Sequence, residues 1–186
     1  MATDRKQQIL ETLAKMLENP KGEKITTASL AAKLDVSEAA LYRHFANKAQ
    51  MFEGLIEFIE ASIFGVINKI TTEETDGKKQ AQLIVSMLLR FAEKNPGMAR
   101  VLIGDALVNE DPALQTRINQ LTDRIETSLK QCLKIAVAQN GKKILPESDA
   151  NLMTCYVLGR WQQFVRSGFK RKPTELVQTQ LAVFGH

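Results

Sequence analysis

Histidine is nearly missing from this chain: of 186 residues only His44 and His186 carry an imidazole. The long stretch between them therefore has no histidine for proton transfer or metal ligation, and its Ser and Cys side chains lack a recognisable base. Paired carboxylates such as Glu73 and Glu74 sit in a polar, loop-like stretch. Composition thus speaks against an enzyme, and no spacing favours a metal or an organic cofactor. Cysteine is equally sparse. Cys132 and Cys155 stand alone, without a C-x-x-C or Cys/His pattern, and both fall in helical apolar patterns, which predicts reduced core thiols. No run of eighteen apolar residues occurs, and MATDRKQQIL has no apolar stretch behind a basic one, so neither a membrane span nor a signal peptide is predicted and a cytoplasmic protein is expected. Strand-type alternation, glycine-rich strand-to-helix turns, repeats and low-complexity linkers are also missing.

What is present reads as helix. Hydrophobic residues make up 44% of the chain and charged residues 25%, ordinary for a globular protein with a sizeable core. Ile9, Leu10, Leu13, Met16 and Leu17 recur at helical spacing before Asn19-Pro20-Lys21-Gly22. Further helices are predicted near 27–34, 37–45, 48–70, 78–94, 97–108, 112–139, 147–168 and 174–184. Asp76-Gly77, Asn95-Pro96-Gly97, Asp111-Pro112, Asn140-Gly141, Pro146 and Pro173 punctuate them. The fold class is all-α.

Net charge is +4, compatible with a polyanionic partner, yet residues 1–60 hold eight Lys/Arg against nine Asp/Glu. The acid-free basic run lies elsewhere, at Arg160, Arg166, Lys170, Arg171 and Lys172. Net charge alone does not locate a nucleic-acid reader. Local pattern does more. In TTASLAAKLDVSEAALYRHF, Thr26 or Thr27 caps a helix of about eight residues with Leu30 and Leu34 on one face. Asp35 tolerates the left-handed backbone of a turn, and Ser37 caps a second short helix with Ala40, Leu41 and Phe45 inward. Glu38, Ala39, Tyr42 and Arg43 then face outward, with His44 at the edge. Helices this short need neighbours to hold them, as in a helix-turn-helix, where the second helix enters the major groove. Tyr42, His44 and Lys48 are suited to phosphates, Glu38 to a cytosine amine, and Ala39 to a thymine methyl. The same pieces also suit two ordinary packed helices.

The segment ITTASLAAKLDVSEAALYRHFANKAQMFEGL resembles the DNA-binding module of the TetR family, whose signature runs from a serine-capped recognition helix into Leu-Tyr-Arg-His-Phe and a lysine. Asp35 stands where glycine is commoner. The resemblance implies a three-helix module at 1–50, a helical dimerisation and regulatory domain at 51–186, and palindromic double-stranded DNA sites read by a homodimer. The DNA-contacting set it implies is Thr26, Thr27, Ser37, Glu38, Ala39, Tyr42, Arg43, His44 and Lys48. Outside that module, YRHFANKAQMFEGLIEFIE, RFAEKNPGMARVLIGDAL and RINQLTDRIETSLKQ resemble a nucleoid-associated branch of the family. Members of that branch block cell division by engaging the C-terminal tail of FtsZ. The usual family alternative is a repressor released by a small-molecule effector. For that role Ser86, Thr154, Tyr156 and Gln163 are the polar candidates, although each also suits a helix interface.

Phe52, Leu55, Ile56, Ile59, Ile63, Ile67 and Ile70 form one stripe at helical spacing, and Phe58 falls well off it. Phe58 either packs under a second layer or offers an aromatic anchor to a partner. The resemblance implies a tail-binding groove between this helix and the next, formed by Phe58, Val66, Met87, Arg90, Lys94 and Asn95. Within it Val66 replaces an arginine and Arg90 a glycine of the relatives. A stripe of Leu152, Val157, Leu158, Trp161, Phe164 and Val165, followed by Leu176, Val177, Leu181, Val183 and Phe184, is either a dimer face or an intramolecular seam.

Overall fold

The computed structural model describes residues 2–19, 24–140 and 144–183. Helices α1 (Ala2–Met16), α2 (Thr27–Lys33) and α3 (Glu38–Tyr42) precede the long α4 (Lys48–Glu73). Then come α5 (Gly77–Lys94), α6 (Pro96–Leu102), a 3-10 turn at Asp105–Leu107, α7 (Pro112–Asn140), α8 (Pro146–Arg166) and α9 (Val177–Val183). No strand occurs among the described residues. The predicted breaks at Pro20-Lys21-Gly22 and Gly141, and the terminal Phe184 and His186, lie outside them.

Helix α4 is the axis. Its stripe of Phe52, Leu55, Ile56, Ile59, Ile63 and Ile67 is buried against α1 at one end and against α5 and α7 beyond. Six such side chains contribute about 12 kcal/mol of gross burial at about 2 kcal/mol each. On the α7 side, Arg117 reaches Glu60 at 3.0 Å and Glu57 at 3.5 Å, and the Arg124 guanidinium stacks 3.9 Å from the Phe64 ring centroid. Desolvation works against the charge on Arg117, but the carboxylates of Glu60 and Glu57 together outweigh it and hold the guanidinium above its ordinary range.

Helices α7 and α8 form the longest seam. Trp161 is fully buried and donates from Nε1 to the Leu88 carbonyl at 3.1 Å, satisfying its one polar atom. The stripe on α8 is split: Val157, Trp161 and Phe164 are buried within the chain, whereas Leu152 is exposed and Leu158 and Val165 are half-buried. Val177 and Leu181 also pack inward. Part of the stripe is therefore an intramolecular seam, and its remaining face is uncovered within this chain.

Other expectations need correction. The helix expected over 97–108 stops at Leu102, because Gly104 takes a left-handed backbone (φ 78°) and the chain turns. The last helix begins at Val177, not at 174, since Leu176 is left-handed (φ 65°). The helix expected over 37–45 is regular only over Glu38–Tyr42, with Phe45 tucked beneath it. Cys132 is buried as expected, but Cys155 is exposed, on the outer side of α8. Arg160 is not part of a free basic face: it donates to the carbonyls of Lys172, Pro173 and Glu175.

Two contacts fix α1 to the body. Gly97 lies so close to α1 that a Cβ there would sit 2.0 Å from the Ala14 carbonyl oxygen. Buried Arg100 donates to the Leu17 carbonyl at 3.2 Å and to Asp105 Oδ2 at 2.6 Å, capping the carbonyl end of α1.

Candidate nucleic-acid interface and partner groove

The helix-turn-helix is built by local capping. Thr26 is the N-cap of α2: its hydroxyl accepts from the Ser29 amide at 3.0 Å, and the Ser29 hydroxyl accepts from the Thr26 amide at 3.0 Å. Asp35 takes φ 54° in the turn, a conformation open to Asp at modest cost. The Ser37 hydroxyl accepts from Ala40 N at 3.3 Å and starts α3. Leu30, Ala31, Leu41 and Phe45 are buried, so the two short helices hang on α1 and α4.

The outer surface then carries the expected residues, partly tied together. Thr27, the helical residue after the cap, donates from its hydroxyl to Glu38 Oε2 at 2.6 Å, and Tyr42 OH reaches Thr27 Oγ1 at 3.5 Å. This polar chain links α2 to α3. Ser37, Ala39 and Arg43 are exposed and His44 is half-buried. Tyr42 is 46% exposed, high for a large aromatic. Asn47 caps α4 by accepting from Gln50 N at 2.9 Å, which leaves the α4 N-terminus beside α3. Lys48 is not free: its ammonium pairs with Glu110, from the segment before α7, and lies 5.6 Å from the Phe52 ring centroid. The spacing of Lys48 and Glu110, 62 residues apart, gave no sign of this pair.

A second feature lies along the body. A groove of about 860 Å³ runs between α4, α5 and α9. Val66 and Ile70 line it from α4; Leu83, Met87, Arg90 and Lys94 from α5; and Gln178, Leu181 and Ala182 from α9. Of the six residues expected at a tail-binding site, Val66, Met87, Arg90 and Lys94 come together there. Phe58 is not in the lining. It is 46% exposed, about 12 Å along the α4 axis and roughly 80° around it from Val66, so no second layer of this chain covers it. Asn95 is half-buried and donates from Nδ2 to the Phe91 carbonyl at 2.8 Å, closing the end of α5. Leu83 is not among the expected residues, although 83, 87, 90 and 94 share one helical face; Gln178 and Ala182 carry no local signal, and Leu181 figures only in the C-terminal apolar stripe.

The four polar groups suited to a small-molecule effector are not brought together. Ser86 lines the groove, Thr154 donates to the Ala150 carbonyl of its own helix, Tyr156 donates to Gln180, and Gln163 accepts from Arg160. Among the described residues no group of three or more His, Cys, Asp or Glu could hold a metal ion, and no helix is long and apolar enough to cross a membrane.

A capped short helix, a left-handed turn and an exposed five-residue helix, mounted on a larger helical body, define a TetR-type DNA-binding regulator. Comparison with known proteins agrees. The family described as "Bacterial regulatory proteins, tetR family" matches residues 22–55, and the SlmA-like family described as "Tetracyclin repressor-like, C-terminal domain" matches residues 76–186. Nucleoid occlusion factor SlmA of Alteromonas mediterranea is 54% identical over 184 residues, covering 98% of this chain and 94% of that protein. Its namesake from Shewanella sediminis is 53% identical over 174 residues, covering 92% and 88%. Among solved structures, a TetR regulator from Haloarcula marismortui superposes with a TM-score of 0.80 at 15% identity, over 98% of this chain and 96% of that one. Bacillus subtilis FadR, crystallised with stearoyl-CoA, gives 0.77 at 15% over 96% of each, a likeness of fold alone. The chain belongs to the SlmA nucleoid occlusion factors of the TetR family.

Proposed function

We propose that this chain acts as a homodimer at palindromic chromosomal sites and, once there, captures the C-terminal tail of FtsZ and prevents division-ring assembly over the nucleoid. In this reading 1–50 is the DNA-reading unit and 51–186 the dimerisation and partner-binding unit, in a cytoplasmic, nucleoid-associated protein. Thr26, Thr27, Tyr42, Arg43, His44 and Lys48 meet phosphates, beside the exposed N-terminus of α3 at Ser37, while Glu38 and Ala39 face base edges. A lone five-residue helix reads too few base pairs for specificity, so two half-sites are required. The outward α8 face, with exposed Leu152 and Gly159 and half-buried Leu158 and Val165, is the surface for the second copy.

The observation that carries the partner reading is the groove of Val66, Met87, Arg90 and Lys94, with exposed Phe58 about two turns away on α4. Its apolar floor and cationic rim suit an acidic peptide with an apolar anchor. The test is fluorescence anisotropy of a labelled peptide copying the tail of the host's own FtsZ, titrated with wild-type and Phe58→Ala protein, with and without selected operator DNA. Binding that depends on Phe58 is expected. Failure of the operator-bound wild type to bind the peptide overturns the reading and transfers it to a ligand-released repressor.

A further inference from the structure

The end of the chain is stapled to the body by a dense set of side-chain bonds. Arg160 on α8 spends its guanidinium on three carbonyls close together in the chain: Lys172 at 2.9 Å, Pro173 at 3.2 Å and Glu175 at 2.8 Å. Its remaining side reaches Gln163 at 3.4 Å. Thr174 donates from its amide and its hydroxyl to Glu93 of α5, at 3.3 and 2.5 Å. Tyr156 OH donates to Gln180 at 2.7 Å. Between these ties Leu176 is held in a left-handed backbone, which costs an ordinary residue about 1 kcal/mol. Beyond it Val177 and Leu181 are buried. A seven-residue helix has no stability of its own, so these contacts decide where α9 lies.

They place it along the groove. Gln178, Leu181 and Ala182 line it beside Val66 and Ile70 of α4, while Glu93 accepts from Thr174 and Glu74 accepts from the amides of Thr75 and Asp76. Glu93 is the one acid on α5 and Glu74 the one acid in the lining. Lys79, Arg90 and Lys94 have no ion pair among the described residues. The wall that α9 contributes bears no charge, so the groove keeps a net positive rim.

We propose that α9 is the third wall of the partner groove, positioned by Arg160, and that it helps select an acidic peptide whose apolar side chain inserts between α5 and α9. The proposal rests on the groove reading above, and the same labelled tail peptide tests it on the full chain. Gln178→Glu and Ala182→Glu change exposed positions and are expected to leave folding intact. Each should weaken the peptide by roughly fivefold at low salt, an effect that fades as salt screens it, and Gln178→Lys should strengthen it. Arg160→Lys, which keeps the charge but loses the planar fork, should weaken the peptide without changing the salt slope of its binding. Operator affinity should be unchanged in all four, which a general loss of structure would not allow. Peptide affinity indifferent to residue 178 while Arg90→Ala lowers it overturns the wall and leaves the groove reading standing. Tighter binding by Arg160→Lys also overturns it, since α9 would then be covering the groove. A wild type that ignores the peptide with operator bound removes the groove reading and this proposal together.

Discussion

Lys48 is suited to a DNA phosphate, yet its ammonium is held by Glu110. Any phosphate must compete with that carboxylate, so Glu110 should lower DNA affinity. The side chains are 23% and 12% exposed, partly shielded from water. Two unit charges about 4 Å apart interact by about 4 kcal/mol at an effective dielectric of 20, but desolvation returns most of that and leaves a net on the order of 1 kcal/mol. Glu110→Gln should therefore tighten each half-site about fivefold, or roughly 25-fold for a dimer on a palindrome. Lys48→Ala should weaken binding and lower the salt slope by about 0.9 for each phosphate that is no longer neutralised. Anisotropy of labelled operator over a salt series measures both. The double variant is decisive. Removing a negative charge near DNA helps in any background, whereas release of Lys48 requires Lys48. Equal tightening by Glu110→Gln in wild-type and Lys48→Ala backgrounds refutes the competition.

Gly97→Ala would push a methyl into the Ala14 carbonyl, a backbone obstacle, so α6 and α1 must separate at a cost of about 1 to 3 kcal/mol. At about 2 to 4 °C per kcal/mol for a chain of this size, thermal unfolding should show a clear drop in Tm, and an unchanged Tm would count against that packing. Burial pushes the Cys132 thiol up to about 11, so the folded state holds it protonated above its ordinary range. Its stabilisation is complete below about pH 8.5 and is lost as pH rises toward 11, by roughly 2 to 3 kcal/mol. Denaturant melts at pH 8 and 10.5 should show a smaller alkaline loss in Cys132→Ala, and a thiol reagent at pH 8 should leave buried Cys132 unlabelled until the chain is unfolded. Tyr42→Ala should weaken all DNA alike, whereas Glu38→Gln should change the preferred operator in a selection from random sequences; an unchanged preference removes Glu38 from base reading.

The DNA-binding module was legible because its signals are short-range. Caps at Thr26 and Ser37 and the left-handed Asp35 act within one turn of the chain, so their meaning survives in the sequence. The α4 stripe was equally legible, since its buried residues all fall on one helical face. Phe58 was legible only as an exception to that stripe: sequence separated it from the core but left open what, if anything, covered it. Gly104 and Leu176 show the limit of periodicity, which carries an apolar pattern across a point where the backbone turns.

By itself, the sequence determined an all-α chain, most of its helix starts and the two short helices of the DNA reader, because these follow from contacts between residues a few positions apart. Tertiary structure alone decided which side of α8 is core and which is free, that Lys48 belongs to Glu110, and that α9 joins α4 and α5 around one groove. Those partners are tens of residues apart. Hydrophobic spacing says that a face must be covered; only packing of the whole chain says by what.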